Sequence, residues 1–295
     1  MLIKELVIAN TIGEEIEFGR YFHLKEGLDL SNLNAENNYS KANIDGAMHQ
    51  NTLLDIRDFD LHFYLDIDNS PDWWIEEKRQ ELFRVFNPKM NPMKITFKTQ
   101  SGKEYYLTAN LEGAPSLPQD YENSNEAWQN GLLQFTCGEP LIYSTEDTAT
   151  NIANWIANFS FDLEIPEDGI ELEYREQSLI QNVINDGSSE IGMDITFKAL
   201  ADVLNPQLIN VNTYEFLKLN FQMLAGDVIQ VVTSKGHRSI TLTRNNQFFN
   251  IFNAFTLDST FLQLRTGDNL FRYDAEEGID FLEILIKHRN SFVGV

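Results

Sequence analysis

Residues 226–273 have the sequence GDVIQVVTSKGHRSITLTRNNQFFNIFNAFTLDSTFLQLRTGDNLFRY, and this stretch decides the fold class. It has one Gly-Asp pair at its start and another near its end, and apolar and polar residues alternate between its turns. The turn signals are Lys235-Gly236, Asn245-Asn246 and Gly267-Asp268. Because period-two alternation is typical of half-buried strands, closely spaced turns of this kind predict an all-β sandwich or barrel.

The clearest strand of the N-terminal half covers residues 52–68, TLLDIRDFDLHFYLDID. Its apolar face carries Phe59, Leu61, Phe63, Leu65 and Ile67, and its polar face carries Asp58, Asp60, His62, Tyr64, Asp66 and Asp68. A helix is predicted next, with Ser70 as N-cap, Pro71 at the first helical position and an end at Asn87-Pro88. Residues 93–113 predict a hairpin that turns at Ser101-Gly102. The Asn-rich residues 31–46 predict a surface loop.

The chain of 295 residues is long enough for two domains, each with its own core. After Ser144 the sequence becomes polar, with scattered apolar residues, and regular short strands return from about residue 190. We therefore expect a mainly β protein of two domains. Residues 1–144 would form an N-terminal β domain with one helix, and residues 145–295 a C-terminal β-sandwich domain.

The charge of the chain excludes several kinds of partner. Lys and Arg number 22 against 45 Asp and Glu, so the formal net charge is −23. No cluster of basic residues interleaved with aromatic residues stands out, and a surface that neutralises phosphates needs one. We expect neither nucleic-acid binding nor association with anionic membranes.

Cysteine content and hydropathy also limit the possibilities. Cys137 is the single cysteine, so neither an intrachain disulfide nor a thiolate metal site is expected, and burial is the usual state of such a residue. The start, MLIKELVIAN, does not resemble a signal peptide, and no segment approaches the ~20 apolar residues of a membrane span. Synthesis and folding in a cytoplasm are expected.

The residue patterns do not favour catalysis. Asp66, Asp68, Ser70, Asp72 and Glu77 have the spacing of an EF-hand calcium loop, but Pro71 stands where that loop needs a tight turn. A capped helix after an acidic strand end explains them better. The five histidines lack a metal-ligand spacing, and motifs such as GxSxG, the P-loop and HExxH are absent. We expect no enzyme activity, no cofactor and no metal.

Trp73 and Trp74 stand together near the start of the predicted helix. Paired tryptophans serve as a sugar-stacking platform or as an interface anchor. Two arrangements remain open here: one ring in the core with the other on a partner, or both rings in the core. With Leu2, Ile3 and Leu6 of the first strand, they form the candidate interface.

In order along the chain, these segments resemble the siphophage tail component family, the distal tail (Dit) proteins. The C-terminal block carries the most specific similarity, in NPQLINVNTYEFLKLNFQMLAGDVIQVVTSKGHRSITL and TLDSTFLQLRTGDNLFRYDAE. The junction LLQFTCGEPLIYS is similar to the family's apolar strand before a Pro-aromatic join, and the N-terminal half is similar in pattern. Residues 31–50 and 145–190 depart from the family.

The resemblance implies a phage or prophage structural protein at the virion tail tip, made in the bacterial host cytoplasm. It implies an N-terminal β-barrel-like or split-barrel domain that closes a hexameric ring of identical subunits, through which DNA passes. It also implies a C-terminal galectin-like β-sandwich in which Gly226 and Gly267 are turn residues. The implied partners are the tail tube, the tape-measure protein and the tail-tip or receptor-binding proteins.

Two alternatives belong to other classes of protein. The first is a carbohydrate-binding protein that acts through the C-terminal sandwich and its tryptophans, and the second is a cell-wall hydrolase. For the ring, we expect a neighbouring subunit to pair with the edge of the 52–68 strand or of the first strand, Leu2–Ala9. A head-to-tail contact of this kind closes into a ring.

Overall fold

The computed structural model describes residues 3–19, 21–41, 45–66, 73–124, 128–153, 155–157, 173–175 and 180–295. The chain has two compact units. The first comprises Met1–Thr145 together with Phe292–Val295, and the second comprises Glu146–Ser291.

The first unit is a β-barrel with one helix. Its helix, α1, spans Trp73–Val85. Its strands are β1 (Ile3–Ala9), β2 (Glu15–Phe18), β3 (Phe22–Leu24), β4 (Ala35–Lys41), β5 (Ala47–Leu54), β6 (Arg57–Asp66), β7 (Met93–Thr99), β8 (Glu104–Leu111), β9 (Trp128–Cys137) and β10 (Ile142–Ser144). Seven strands follow the order β8-β7-β1-β2-β3-β6-β9, and pairing of β8 with β9 closes the barrel.

The barrel core follows from alternation in its strands. Along β6 every second residue from Arg57 to Leu65 is buried, while Asp58, Asp60 and His62 are exposed. The inward residues of the other barrel strands join the same apolar cluster, together with Leu82 and Val85 of α1. The hairpin predicted at residues 93–113 is confirmed as β7 and β8, with Gly102 in its turn at φ +85°.

Two predictions for the N-terminal half are wrong. Residues 31–46 do not form only a loop, because β4 lies there and pairs with β5 as a separate hairpin. The 52–68 strand is not continuous, because β5 ends at Leu54 and pairs with β4, whereas β6 begins at Arg57 and pairs with β3 and β9. Every residue of β5 is exposed, so hydrophobic periodicity does not reveal its pairing with the Asn-rich segment.

The second unit is a β-sandwich. Its strands are β11 (Thr148–Ala153), β12 (Trp155–Ala157), β13 (Glu173–Arg175), β14 (Ile180–Asn185), β15 (Asp194–Ala199), β16 (Val203–Leu204), β17 (Gln207–Asn210), β18 (Phe216–Lys218), β19 (Gln222–Met223), β20 (Val228–Val232), β21 (Ser239–Arg244), β22 (Gln247–Asn250), β23 (Gly267–Asp274) and β24 (Leu282–His288). A last short strand, β25 (Ser291–Phe292), brings Phe292 back to the sheet of the first unit, beside β10.

A six-stranded sheet of order β11-β24-β15-β20-β21-β22 and a four-stranded sheet of order β14-β23-β17-β18 share one apolar core. The mainly β fold class, with a barrel-like N-terminal region and a C-terminal sandwich, is confirmed. The predicted turns are also present. Gly226 and Gly267 have φ of +87° and +85°, a region that other residues seldom adopt, and Asn245 and Asn246 join β21 to β22 at φ of +51° and +60°.

Candidate functional site

The part of the chain that the structure describes contains no group of three or more His, Cys, Asp or Glu side chains placed to hold a metal ion. Asp58, Asp60 and His62 share the exposed face of β6, as the alternation predicted. Most of the calcium-like spacing from Asp66 to Glu77 falls on residues 67–72, outside the described ranges. None of the described helices is long and apolar enough to cross a membrane.

Cys137 has the environment of a structural cysteine. Its side chain lies in the barrel core, as expected. Burial raises the pKa of its thiol to about 12, although the Arg57 charge acts in the opposite direction. Because the thiolate is the nucleophilic form, this cysteine is unreactive at neutral pH.

Arg57 is a buried cation that the sequence analysis did not single out. Its Nε donates to the Pro140 carbonyl at 3.0 Å, Nη2 donates to the Val293 carbonyl at 2.6 Å, and Nη1 donates to the Leu30 carbonyl. The guanidinium therefore ties three distant segments of the first unit together. Its inward position in β6, in register with the apolar residues Phe59 and Leu61, was the signal that could have identified it.

The predicted interface residues differ in where they lie. Leu2 is outside the described residues, and so are the side chains of Trp73 and Trp74, the first two residues of α1. Ile3 is half-buried and packs against the barrel core, and Leu6 is buried within it.

The barrel occupies part of the edges on which the ring contact was expected. Strand β1 pairs with β7, and with β2 over Leu6–Ala9, while β6 pairs with β9 along its length and with β3 over Phe63–Leu65. A neighbouring strand could therefore pair only with the remaining parts of β1 and β6, and strand addition there stays a prediction.

The β4–β5 hairpin is the unprotected element of the first unit. Every residue of β5 is exposed, and each of the two strands pairs only with the other among the described strands. On one face, Asn37 Oδ1 accepts from the Thr52 hydroxyl at 2.6 Å, and His49 contacts the Tyr39 ring edge-on at 5.5 Å between centroids. A two-stranded ribbon of this kind is at best marginally stable in water unless something covers it.

The hairpin surface combines exposed apolar side chains with uncharged polar ones. Tyr39, Met48 and Leu53 are 60%, 64% and 55% exposed, and Leu54 is also exposed. Glu36 and Lys41 are the charged residues of its two strands, and their charges cancel. A surface without net charge and with exposed apolar side chains, on a chain of net charge −23, is suited to contact with another protein.

Two family models match the chain, one in each half. Residues 12–137 match the family model for the phage tail protein RIFT-related domain, and residues 186–289 match that for the C-terminal domain of the siphovirus-type tail component. No curated protein sequence matches the chain significantly.

Similarity to solved structures extends over almost the whole chain. The crystal structure of Dit from phage SPP1, described as a paradigm of the hub adsorption apparatus in phages infecting Gram-positive bacteria, is similar with a TM-score of 0.65 and 13% identity over 97% of this chain and 99% of that one. Two structures of the phage P2 baseplate in its activated conformation, with Ca and with Sr, give TM-scores of 0.48 and 0.49 at 9% identity, over 98% of each chain.

These findings do not favour the carbohydrate-binding alternative. They also agree with the resemblance that the C-terminal block carried. Because the two family models match successive parts of the chain and together cover most of it, the chain belongs to the siphophage distal tail (Dit) protein family, whose members are structural proteins of the phage tail.

Proposed function

We propose that this chain forms a hexameric hub ring at the tip of a siphophage tail, between the tail tube and the adsorption apparatus. The observation that carries the proposal is the pair of family matches along one chain. The fold shared with SPP1 Dit, itself described as a hub of the adsorption apparatus, supports it. In this role the protein is structural and catalyses no reaction.

The chain would then have two domains with separate tasks, which follow the two compact units except that residues 292–295 pack with the first unit. The N-terminal domain, residues 1–144, closes the ring around the path of the DNA, and the strongly acidic composition suits a lumen that must not retain a polyanion. The C-terminal sandwich, residues 145–295, serves the tail-tip and receptor-binding proteins. The tail tube and the tape-measure protein are the partners of the ring itself.

The β4–β5 hairpin supplies the ring contact in this proposal. Its partner is a second copy of the same chain, whose high negative charge opposes association except where the contacting surfaces are nearly free of charge. The hairpin meets that condition and offers exposed apolar side chains on both faces. The hairpin of one subunit lies against a different surface of the next, so the contact is heterologous and can close into a ring.

The test measures assembly of the full chain at rising concentration by analytical ultracentrifugation and negative-stain electron microscopy. We expect particles of six copies with a central opening. The double substitution Met48→Asp with Leu53→Asp places two carboxylates on the hairpin and should prevent this assembly. The matched control is Leu257→Asp, at a fully exposed leucine of the second unit, which should leave the rings intact.

Two results would contradict different parts of the proposal. Rings formed equally well by the hairpin double variant would show that the contact lies elsewhere. A chain that remains monomeric up to its highest soluble concentration, and does not associate with purified tail tubes, would contradict the hub ring itself.

A further inference from the structure

Strand β22 is an unprotected edge of the six-stranded sheet. Of the strands in the described ranges, β21 alone pairs with it, and all four of its residues are exposed. Phe248 is 75% exposed and Phe249 is 44% exposed. Natural edge strands are usually protected by Lys, Pro, a bulge or a covering loop, and β22 instead has two adjacent phenylalanines.

The backbone of β22 still has hydrogen-bonding capacity on its open side. Arg244 and Gln247 face each other across the two-residue Asn245-Asn246 turn and form the first pair of the ladder. Since hydrogen-bonded and non-hydrogen-bonded pairs alternate in an antiparallel ladder, the N–H and C=O groups of Phe248 and Asn250 point away from β21.

An open cavity of about 500 Å³ adjoins this edge. Phe249 lies opposite the buried Leu242 in the ladder, so both side chains face the inner side of the sheet. Both residues line the cavity, together with Phe221 and Ile251. The rest of the lining is mainly polar, with Asn220, Asn250 and Asn253 beside Arg244. The cavity is thus a preformed slot of mixed lining, in which Phe221, Phe249 and Ile251 can contact an apolar side chain.

The polar lining of the cavity has a fixed cation. Arg244 is held in place by two hydrogen bonds to the buried carboxylate of Asp227, one of them 2.8 Å long, and its guanidinium lies 5.9 Å from the centre of the Phe221 ring. Burial raises the pKa of Asp227, but the hydrogen bonds from Arg244 and from the Leu224 N–H outweigh burial and lower the pKa overall. The ion pair therefore stays formed at neutral pH.

The surroundings of β22 differ in charge from the rest of the chain. No Asp or Glu occurs between Asp227 and Asp258, although the chain has 45 acidic residues, and Lys235, Arg238 and Arg244 all lie in that interval. Arg244 pairs with Asp227, and Lys235 pairs with Glu190 at 3.2 Å, so this region is close to neutral, with Arg238 over the Phe261 ring as its further cation. An acidic partner therefore meets less repulsion here than on the rest of a chain of net charge −23, which favours an acidic ligand at this edge.

We propose that the β22 edge and its cavity bind an extended segment of another protein, one that has an apolar side chain flanked by acidic residues. The segment adds as a seventh strand beside β22 through the outward groups of Phe248 and Asn250. Every second side chain of an added strand points to the same face, so one apolar side chain enters the slot while carboxylates meet the nearly neutral surroundings. This site lies in the second unit and does not depend on ring formation.

The test selects ligands for the full chain from a random peptide library and measures their affinities by fluorescence anisotropy. We expect enriched peptides with alternating apolar residues and a net negative charge. Phe249→Glu puts a carboxylate in the slot, and Phe248→Pro removes an outward N–H without removing a bond to β21. Each should weaken binding by roughly tenfold or more.

A matched control is Phe281→Glu, at a phenylalanine of the same unit with similar exposure, 46%, which should bind the peptides normally. Hydrogen exchange at the Phe248 and Asn250 amides should slow when a peptide is bound, which reports strand addition directly. The proposal would be overturned if no peptide is enriched, if the enriched peptides are basic, or if they bind both variants as tightly as the native chain. It would also be overturned if bound peptides leave these amides unprotected. Two further results would contradict it: a glycan that occupies the slot in place of peptides, or self-association of the chain through this edge, recognised by its loss in Phe249→Glu.

Discussion

At the scale of single residues, Arg57 shows how one inward-facing position can hold a chain terminus. Burial lowers the pKa of its guanidinium, and its three acceptors are backbone carbonyls of Leu30, Pro140 and Val293. The planar group satisfies all three at once because its donors point in fixed directions. A lysine at the same place has a single donor atom and cannot reach all of them.

We therefore predict that Arg57→Lys lowers the free energy of unfolding by roughly 1–3 kcal/mol, since the lysine leaves carbonyls without donors and the hydrogen bond to the Leu30 carbonyl is buried. Urea denaturation followed by circular dichroism measures the change. The control is Arg84→Lys, at an exposed arginine that pairs with Glu14, where the change should stay within about 0.5 kcal/mol. Equal effects at the two sites would contradict the structural role of Arg57.

His288 gives the second unit a dependence on pH. Burial lowers the pKa of its imidazole below the ordinary value of 6.5, and this outweighs the hydrogen bond between Nε2 and the Ile184 carbonyl. In the unfolded chain the imidazole takes up a proton at its ordinary pKa, but in the folded chain it does so only at lower pH. Acidification below 6.5 therefore favours unfolding, until the lowered pKa of the folded state is reached.

The prediction is a loss of stability as the pH falls below about 6.5, with a contribution from His288 of at most about 1.4 kcal/mol per pH unit. His288→Gln keeps a side-chain donor but cannot titrate, so its unfolding free energy should change less over this range. Thermal and urea unfolding at a series of pH values would show the difference. An unchanged pH dependence in the variant would exclude His288 as the cause.

At the scale of secondary-structure elements, a single glycine sets the fit between β6 and β9. Gly131 lies directly opposite Phe63 in the ladder, and a Cβ atom at Gly131 would lie 2.2 Å from Cζ of the Phe63 ring. Phe63 is fully buried in the barrel core and packs edge-on against Phe18 at 5.8 Å. The ring has little room to move away.

Gly131→Ala should consequently lower the free energy of unfolding by about 1–3 kcal/mol through overpacking. Gly113→Ala, at a position where no atom lies within 4 Å of the new Cβ, should have little effect. Combined with Phe63→Leu, the Gly131→Ala change should be less damaging than the sum of the two single changes, as expected for contacting residues. Additive effects in this double-mutant cycle would show that the steric conflict is not with Phe63.

At the scale of the whole molecule, the last residues belong to the first unit although they follow the second in sequence. Phe292 packs against the barrel core with its ring edge-on to Tyr105 at 5.4 Å, and Val293 accepts the hydrogen bond from Arg57. A division of the chain at residue 144 therefore leaves the N-terminal fragment without part of its core.

We predict that a fragment of residues 146–290 folds as a monomeric sandwich, while a fragment of residues 1–145 melts at a lower temperature than the same unit in the full chain. The reason is the loss of Phe292–Val295, which leaves Arg57 without one of its acceptors. Calorimetry of both fragments and of the full chain would measure this. An N-terminal fragment as stable as the unit in the full chain would show that the terminal residues contribute nothing.

Features that depend on neighbouring residues could be predicted from the sequence. Alternation with period two predicted the inward and outward faces of β6, and Gly267 and the Asn245-Asn246 pair predicted turns that the structure confirms. The burial of Cys137 followed from its residue type. These features are local: the face on which a side chain lies and the φ that a turn requires are set within a few residues.

Only the tertiary structure decided which strand edges are used. Closure of the barrel makes β1 and β6 internal strands, and it leaves the β4–β5 hairpin outside. Strand pairing in the folded chain also places Phe292 in the first unit and leaves β22 at the edge of its sheet. Strand pairing joins residues far apart in the chain through backbone groups that every residue except proline carries in full, so side-chain periodicity does not identify the partner. The predicted interface at Leu2, Ile3, Leu6, Trp73 and Trp74 remains a prediction. The surfaces proposed for assembly were identified from the strand pairing and not from the sequence.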